Sequence, residues 1–261
     1  MGLLLCTEYA EHPYHYEKLD VDLWSIQELC YVLYHYPVII PEDFVDKRLI
    51  HWLRGELQLE TLAAKLEQFM GAGENRDAMI LMILREGNYY TQVEIATFAQ
   101  ELRRLKEIDR ASFNELLGDT FFRMGKYGRA VESYQESVQE GKDPRVQMKL
   151  GDSYVTVMEF RRASDLYEEI YIETNSEKPL QKLYFLNKLE PSVNTISKYV
   201  NYIDTAKLSD WEHTYDAVLK KVENSERVDK INKIYQQGSV EFRKAAAELI
   251  HKWKRDYRDK V

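Results

Sequence analysis

Residues with the chemistry for catalysis or metal binding are few in this sequence, and they are scattered. His12 and His15 sit close together in HPYHYE, with Glu17 beside them, as in the start of a metal site. A structural zinc takes four ligands and a catalytic one three plus water. No second cluster follows, so both histidines read as surface residues and no metal is expected. The 2 cysteines, Cys6 and Cys30, fit neither a zinc spacing nor a disulfide framework, which suits a reducing compartment. Cys30 falls in an apolar helical stripe, and a nucleophile there would need a positioned base that the sequence does not supply. Glu168 and Glu169 are adjacent, so on a helix they point to different sides and read as solvated charges. There is no glycine-rich phosphate loop, no GxSxG and no HExxH. The expectation is a protein that is not an enzyme and holds no cofactor.

The rest of the sequence is about shape. Its 261 residues can form one large or two ordinary domains, and the hydrophobic share of 44% is that of a folded chain. With 11 Gly and 6 Pro it has too few turn residues for an all-β protein, so long helices are expected. The net charge of -8 repels phosphate backbones, which argues against nucleic acid as a partner. Residues 1–60 carry much of that acidity. No apolar run is long enough to span a membrane. MGLLLC lacks the basic flank of a signal peptide and the Ser or Thr of a myristoylation site, so it reads as a buried strand or tail. A cytoplasmic location is expected.

One passage is written twice. LGDTFFRMGKYGRAVESY begins at Leu117 and LGDSYVTVMEFRRASDLY at Leu150, an offset of 33. Leu117, Gly118, Asp119, Phe121, Tyr127, Ala130, Tyr134 and Glu136 fall on Leu150, Gly151, Asp152, Tyr154, Phe160, Ala163, Tyr167 and Glu169. A self-match at such a period marks stacked helical units that cannot bury their apolar faces alone. The pattern predicts helices over 111–124 and 127–140, then 144–157 and 160–173. GKDP between the units supplies a helix stop at Gly141, an N-cap at Asp143 and a first-turn proline at Pro144. A mid-helix glycine costs about 1 kcal/mol against alanine. Its repetition predicts close helix contact, with Gly118 facing Ala130 and Gly151 facing Ala163.

This arrangement resembles the tetratricopeptide repeat over about residues 111–176. The small, aromatic, alanine and aromatic positions of that motif are held by Gly118, Phe121, Ala130 and Tyr134, then by Gly151, Tyr154, Ala163 and Tyr167. The motif's early Trp is replaced by Asn114 and Gln147. The resemblance implies an all-α fold, an α-solenoid of antiparallel helix pairs. It also implies a concave groove lined by the first helix of each unit, holding a peptide or protein partner. It places Ser112, Glu115, Asp119, Phe122 and Arg123 in the groove from one unit, and Arg145, Met148, Asp152, Val155 and Thr156 from the next. The subclass that grips a C-terminal carboxylate uses Lys and Asn where this chain has Glu115, Asp119, Met148 and Asp152, so that activity is not implied. The acids could instead receive a basic or polar segment, or Asp119 could pair with Arg123 one turn on.

Three regions are expected: an N-terminal helical region at 1–74, helical repeats at 75–176, and a C-terminal helical region at 177–261. REGNYYTQVEIATF echoes RMGKYGRAVESY, setting Gly87 on Gly125, with a capping box at Thr91 and Glu94 and a degenerate helix pair over 76–107. Upstream, DLWSIQELCYVLYHY has helical spacing, and 42–54 and 59–70 read as a further pair. PVIIPEDF holds a short β-like run between Pro37 and Pro41, and GAGEN reads as a hinge loop. Downstream the period is lost after residue 175. Pro191 is expected to open a helix, and Ser209 with Glu212 to cap one at about 210–223. A long amphipathic helix over 239–258 carries a stripe of Phe242, Ala246, Leu249, Ile250, Trp253 and Tyr257. It either caps the stack or docks a partner or an anionic surface. The functional expectation is a cytoplasmic adaptor or scaffold. The alternatives are a peptide-sensing regulator of the helical-repeat type and an enzyme of unknown type.

Overall fold

The structure is a computed structural model that describes residues 9–73, 75–236, 239–258 and 260. MGLLLC, with Cys6, lies outside the described residues. The chain is all-α. Among the described residues there are 13 α-helices and one two-stranded sheet. It divides into two compact units, Met1–Asp109 and Arg110–Val261.

The first unit opens with β1 (Tyr14–Tyr16) paired antiparallel to β2 (Val21–Leu23), Tyr14 opposite Leu23 and Tyr16 opposite Val21. Five helices follow: α1 (Ile26–His35), α2 (Lys47–Gly55), α3 (Glu60–Ala72), α4 (Arg76–Glu86) and α5 (Gln92–Glu107). Side chains set most of the starts. Ser25, Asp46, Asn75 and Thr91 each accept from a backbone N–H of the first turn, and Thr91 with Glu94 completes the expected capping box. Leu29, Cys30, Leu33, Leu49, Leu53, Leu66, Ile80, Ile83 and Leu84 form the core. Cys30 is a core residue; its thiol donates to the Ile83 carbonyl, and burial pushes its pKa up to about 12.

Some details of this unit differ from the sequence reading, among them the helix expected from 42, which begins at Lys47 behind the Asp46 N-cap. The short β-like run, which its length left unassigned, begins as a 3-10 turn, Pro37–Ile39, because proline at its first position fixes φ for a helical turn. Helix α3 runs on through Gly71 and Ala72 and stops at Gly73 with φ 72°, so the first two residues of GAGEN are helical. The alignment of Gly87 with Gly125 does not extend to the backbone, since the left-handed residue after α4 is Asn88 (φ 46°). Gly87 has ordinary φ, and its missing side chain makes room for Cys30 Sγ and Ile26.

The second unit carries the repeat. Helices α6 (Arg110–Arg123), α7 (Tyr127–Glu140), α8 (Pro144–Thr156) and α9 (Phe160–Thr174) match the expected boundaries to within two residues. Gly125 takes φ 75° in the turn between α6 and α7, as only glycine does at no steric cost. The equivalent residue between α8 and α9 is Met158, at φ 62°. Contacts between α6 and α7 join the start of one to the end of the other. Ser137 Oγ donates to the Ala111 carbonyl at 2.7 Å, Tyr134 lies on Gly118, and Phe122 meets Tyr127 edge to face. Helices α7 and α8 are tied by Gln135 donating to the Tyr154 hydroxyl at 2.7 Å.

Beyond residue 175 one helix start keeps step although the sequence match does not. Helix α10 (Glu177–Leu189) begins 33 residues after α8 begins at Pro144. Pro191 then lies in a turn rather than opening a helix, followed by 3-10 turns at Thr195–Lys198 and Val200–Tyr202. Helix α11 (Thr205–Glu223) starts at an Asp204 N-cap, so Ser209 and Glu212 lie inside it and cap nothing. Helices α12 (Glu226–Tyr235) and α13 (Ser239–Arg258) complete the chain. Trp211 is buried against Tyr184 of α10. The α13 stripe is only partly covered: Ile250, Trp253 and Tyr257 are exposed, and the Tyr257 hydroxyl reaches the Val157 carbonyl at 3.5 Å.

Candidate functional site

The repeated glycines face tyrosines, not alanines. A Cβ built on Gly118 would stand 2.6 Å from Tyr134 Cδ1, and one on Gly151 would clash with the Tyr167 ring. The close approach inferred from sequence is therefore an aromatic ring lying over a helix backbone. Ala130 and Ala163 are fully buried. The ring's other end is tied down by the residue after the glycine. Tyr134 donates its hydroxyl to Asp119 Oδ1 at 2.7 Å, and Tyr167 to Asp152 Oδ1 at 2.6 Å.

Each aspartate also accepts from a lysine on the next helix but one. Lys149 Nζ of α8 lies 2.8 Å from both Asp119 oxygens and 2.7 Å from Glu115 Oε1 on α6. Lys182 of α10 lies 2.8 Å from Asp152 Oδ1 on α8. The same spacing recurs once more without charge, where Tyr215 of α11 stacks over Phe185 of α10 at 6.3 Å. Glycine, tyrosine, aspartate and lysine thus form one unit of contact, made twice.

The electrostatics hold the donors protonated. Burial, and then the hydrogen bond to Asp119, push the Tyr134 phenol well above its ordinary range. Burial, followed by the charge and hydrogen bond of Asp152, does the same to Tyr167. For Lys149, burial opposes the charged form, but the hydrogen bonds to Asp119 and Glu115 outweigh it and raise the pKa. Arg123 does not pair with the Asp119 carboxylate; its Nε donates to the Asp119 backbone carbonyl at 3.3 Å.

Two open clefts adjoin this lattice and share Asp152 and Lys182. One, of about 630 Å³, is bounded by Arg145 and Met148 of α8, Ile170 and Thr174 of α9, and Lys178 and Pro179 of α10. The other, of about 320 Å³, is mainly apolar and bounded by Val155, Phe185, Leu186, Leu189 and Tyr215. The structure thus brings Arg145, Met148, Asp152 and Val155 to adjoining clefts. Ser112, Glu115, Asp119, Phe122, Arg123 and Thr156 line neither. Phe122 packs on Tyr127, and the Thr156 hydroxyl donates to the Asp152 carbonyl. Asp119, Asp152 and Glu115 already hold cations of the chain itself. Lys149, Lys182, Phe185 and Tyr215 were missed in the sequence. The two lysines are one period apart, which is the signal that could have found them.

In the first unit, His12 meets Glu56 at 3.2 Å and His15 meets Asp22 at 2.8 Å. Among the described residues, no three His, Cys, Asp or Glu side chains gather as a metal ion requires. Among those residues, too, no helix is long and apolar enough to cross a membrane. No family model matches the chain, and neither a curated protein nor a solved structure matches it.

Proposed function

We propose that α6–α11 form a short α-solenoid of antiparallel, tetratricopeptide-like pairs that acts in the cytoplasm as a non-catalytic adaptor. The groove is the face of α8 and α10 around Asp152 and Lys182. The observation that carries this reading is the repeated contact of Gly118, Tyr134, Asp119 and Lys149 with its copy at Gly151, Tyr167, Asp152 and Lys182. Each copy joins the two helices of one pair and then reaches the first helix of the next. A device of that kind propagates a stack. The acids serve the stack, and the groove offers apolar contacts: Met148, Val155, Phe185 and Leu189, the last 54% exposed. Half-buried apolar side chains in an open cleft, with Leu189 exposed at its edge, suit a peptide or helix of a protein partner.

The test is site-specific photocrosslinking in the native host. A crosslinking residue at Met148 or Val155 is expected to capture one common protein. The same probe at Asp165, on the exposed side of α9, is expected to miss it. Capture must disappear when Phe185 and Leu189 are replaced by serine. Equal capture from Asp165, or capture that survives those replacements, removes the groove from the proposal.

A further inference from the structure

Helix α13 leaves one face largely exposed. Projected at about 100° per residue, its half-buried side is centred on Phe242, Ala245 and Leu249. Next to that side stands an exposed apolar edge of Trp253, Tyr257 and Ile250, at 45%, 46% and 48% exposure. Beyond the edge come Arg243, Lys254, Arg258, Lys244 and Arg255, all exposed. From Trp253 round to Arg255 no carboxylate interrupts the face; Glu248 and Glu241 follow directly beyond Arg255, and Asp256 lies on the half-buried side. This segregation occurs in a chain of net charge -8, where an even mixture would put acids on every face.

We propose that this face of α13 docks on an anionic phospholipid bilayer, the helix lying in the plane of the surface. Trp253 carries an apolar ring with a polar atom, the combination that settles at headgroup depth, and the exposed part of the Tyr257 ring lies beside it while its hydroxyl faces the Val157 carbonyl. Ile250 enters beside them. Arg243 and Lys254, with Arg258 beyond them, border them and meet the lipid phosphates, each adding attraction that decays within a Debye length. Charge complementarity names the occupant: the face has cations and no acid, and its apolar edge is one side chain deep, as a shallow interfacial helix needs. The surface is separate from the groove at Asp152 and stands or falls without it.

The experiment is flotation of the full chain with vesicles of phosphatidylcholine alone, and of phosphatidylcholine with phosphatidylglycerol. Retention is expected only on the anionic vesicles and is expected to fall with salt. R243E/K254E is expected to weaken it by at least ~10-fold. K47E/R103E makes the same change in charge on exposed residues of the first unit and is expected to alter it by less than about twofold. Brominated lipid is expected to quench the wild-type tryptophan emission and to lose most of that effect in W253F. Equal retention on both vesicles, unchanged binding by R243E/K254E, or equal loss in K47E/R103E overturns the proposal. So does self-association through α13, or capture of an acidic protein, without retention on vesicles.

Discussion

The Tyr167 hydroxyl donates to Asp152 Oδ1 at 2.6 Å while the ring of Tyr167 lies over Gly151. One side chain thereby closes a helix pair twice, by packing and by a hydrogen bond to a charged acceptor. Such bonds contribute about 1.5–3 kcal/mol where the acceptor is otherwise short of donors. Lys182 also serves Asp152, so Tyr167→Phe is expected to cost about 1–2 kcal/mol in urea unfolding. Tyr134→Phe is expected to behave alike. Midpoints equal to wild type would show that the hydroxyls add nothing to the packing.

Alkaline pH should undo the same contacts. The folded-state pKa values of Tyr134, Tyr167 and Lys149 are all raised. Each then contributes stability that is whole below the unfolded pKa, about 10 for both residue types, and is lost as pH rises toward the folded value. Stability is therefore expected to be flat from these groups at neutral pH and to fall above about pH 10. The fall should be shallower in Tyr134→Phe/Tyr167→Phe. A profile unchanged by removing both phenols contradicts the assignment.

Met158 holds the left-handed turn position that glycine holds in the preceding pair, and its side chain is 68% exposed. A non-glycine residue there costs about 1 kcal/mol or more, and little packing is lost on removing it. Met158→Gly is expected to raise stability by roughly 0.5–1 kcal/mol, against the usual destabilising effect of a new glycine. Thermal unfolding reads the sign directly.

Lys149 joins α8 to Asp119 and Glu115 of α6 from a partly exposed position. A double-mutant cycle of Asp119→Asn and Lys149→Met is expected to return a coupling of roughly 0.5–1 kcal/mol, shrinking in high salt. Zero coupling at low salt would leave the ion pair as decoration.

How much of this was legible in the sequence can be judged from particular residues. The turn after α6 and the start of α8 were readable because Gly125 allows the left-handed turn, Asp143 caps the helix and Pro144 fixes its first φ. The tyrosine facing each glycine was not. Helical periodicity fixes which side of a helix is apolar, but not how far round its neighbour is turned. Lys149 and Lys182 are in step with the repeat, yet the corresponding residue of the first pair is Leu116, so two copies gave no consensus. Ser209 and Glu212 matched a capping box inside α11 because Asp204 had started the helix a turn earlier. Strands β1 and β2 are three residues each, too short for alternation to register.

The repeated tyrosine-on-glycine contact is tested most directly by a double-mutant cycle between Gly151 and Tyr167. Gly151→Ala in the wild-type background sets a new Cβ against the ring and is expected to cost about 1–3 kcal/mol. In a Tyr167→Leu background the obstruction is gone. The same change should then cost nothing, or stabilise by up to about 1 kcal/mol through helix propensity. A change of sign, or a difference above about 1 kcal/mol, is the expected result. An equal effect in both backgrounds would mean that the ring does not need the glycine, and the stacking device would lose its basis.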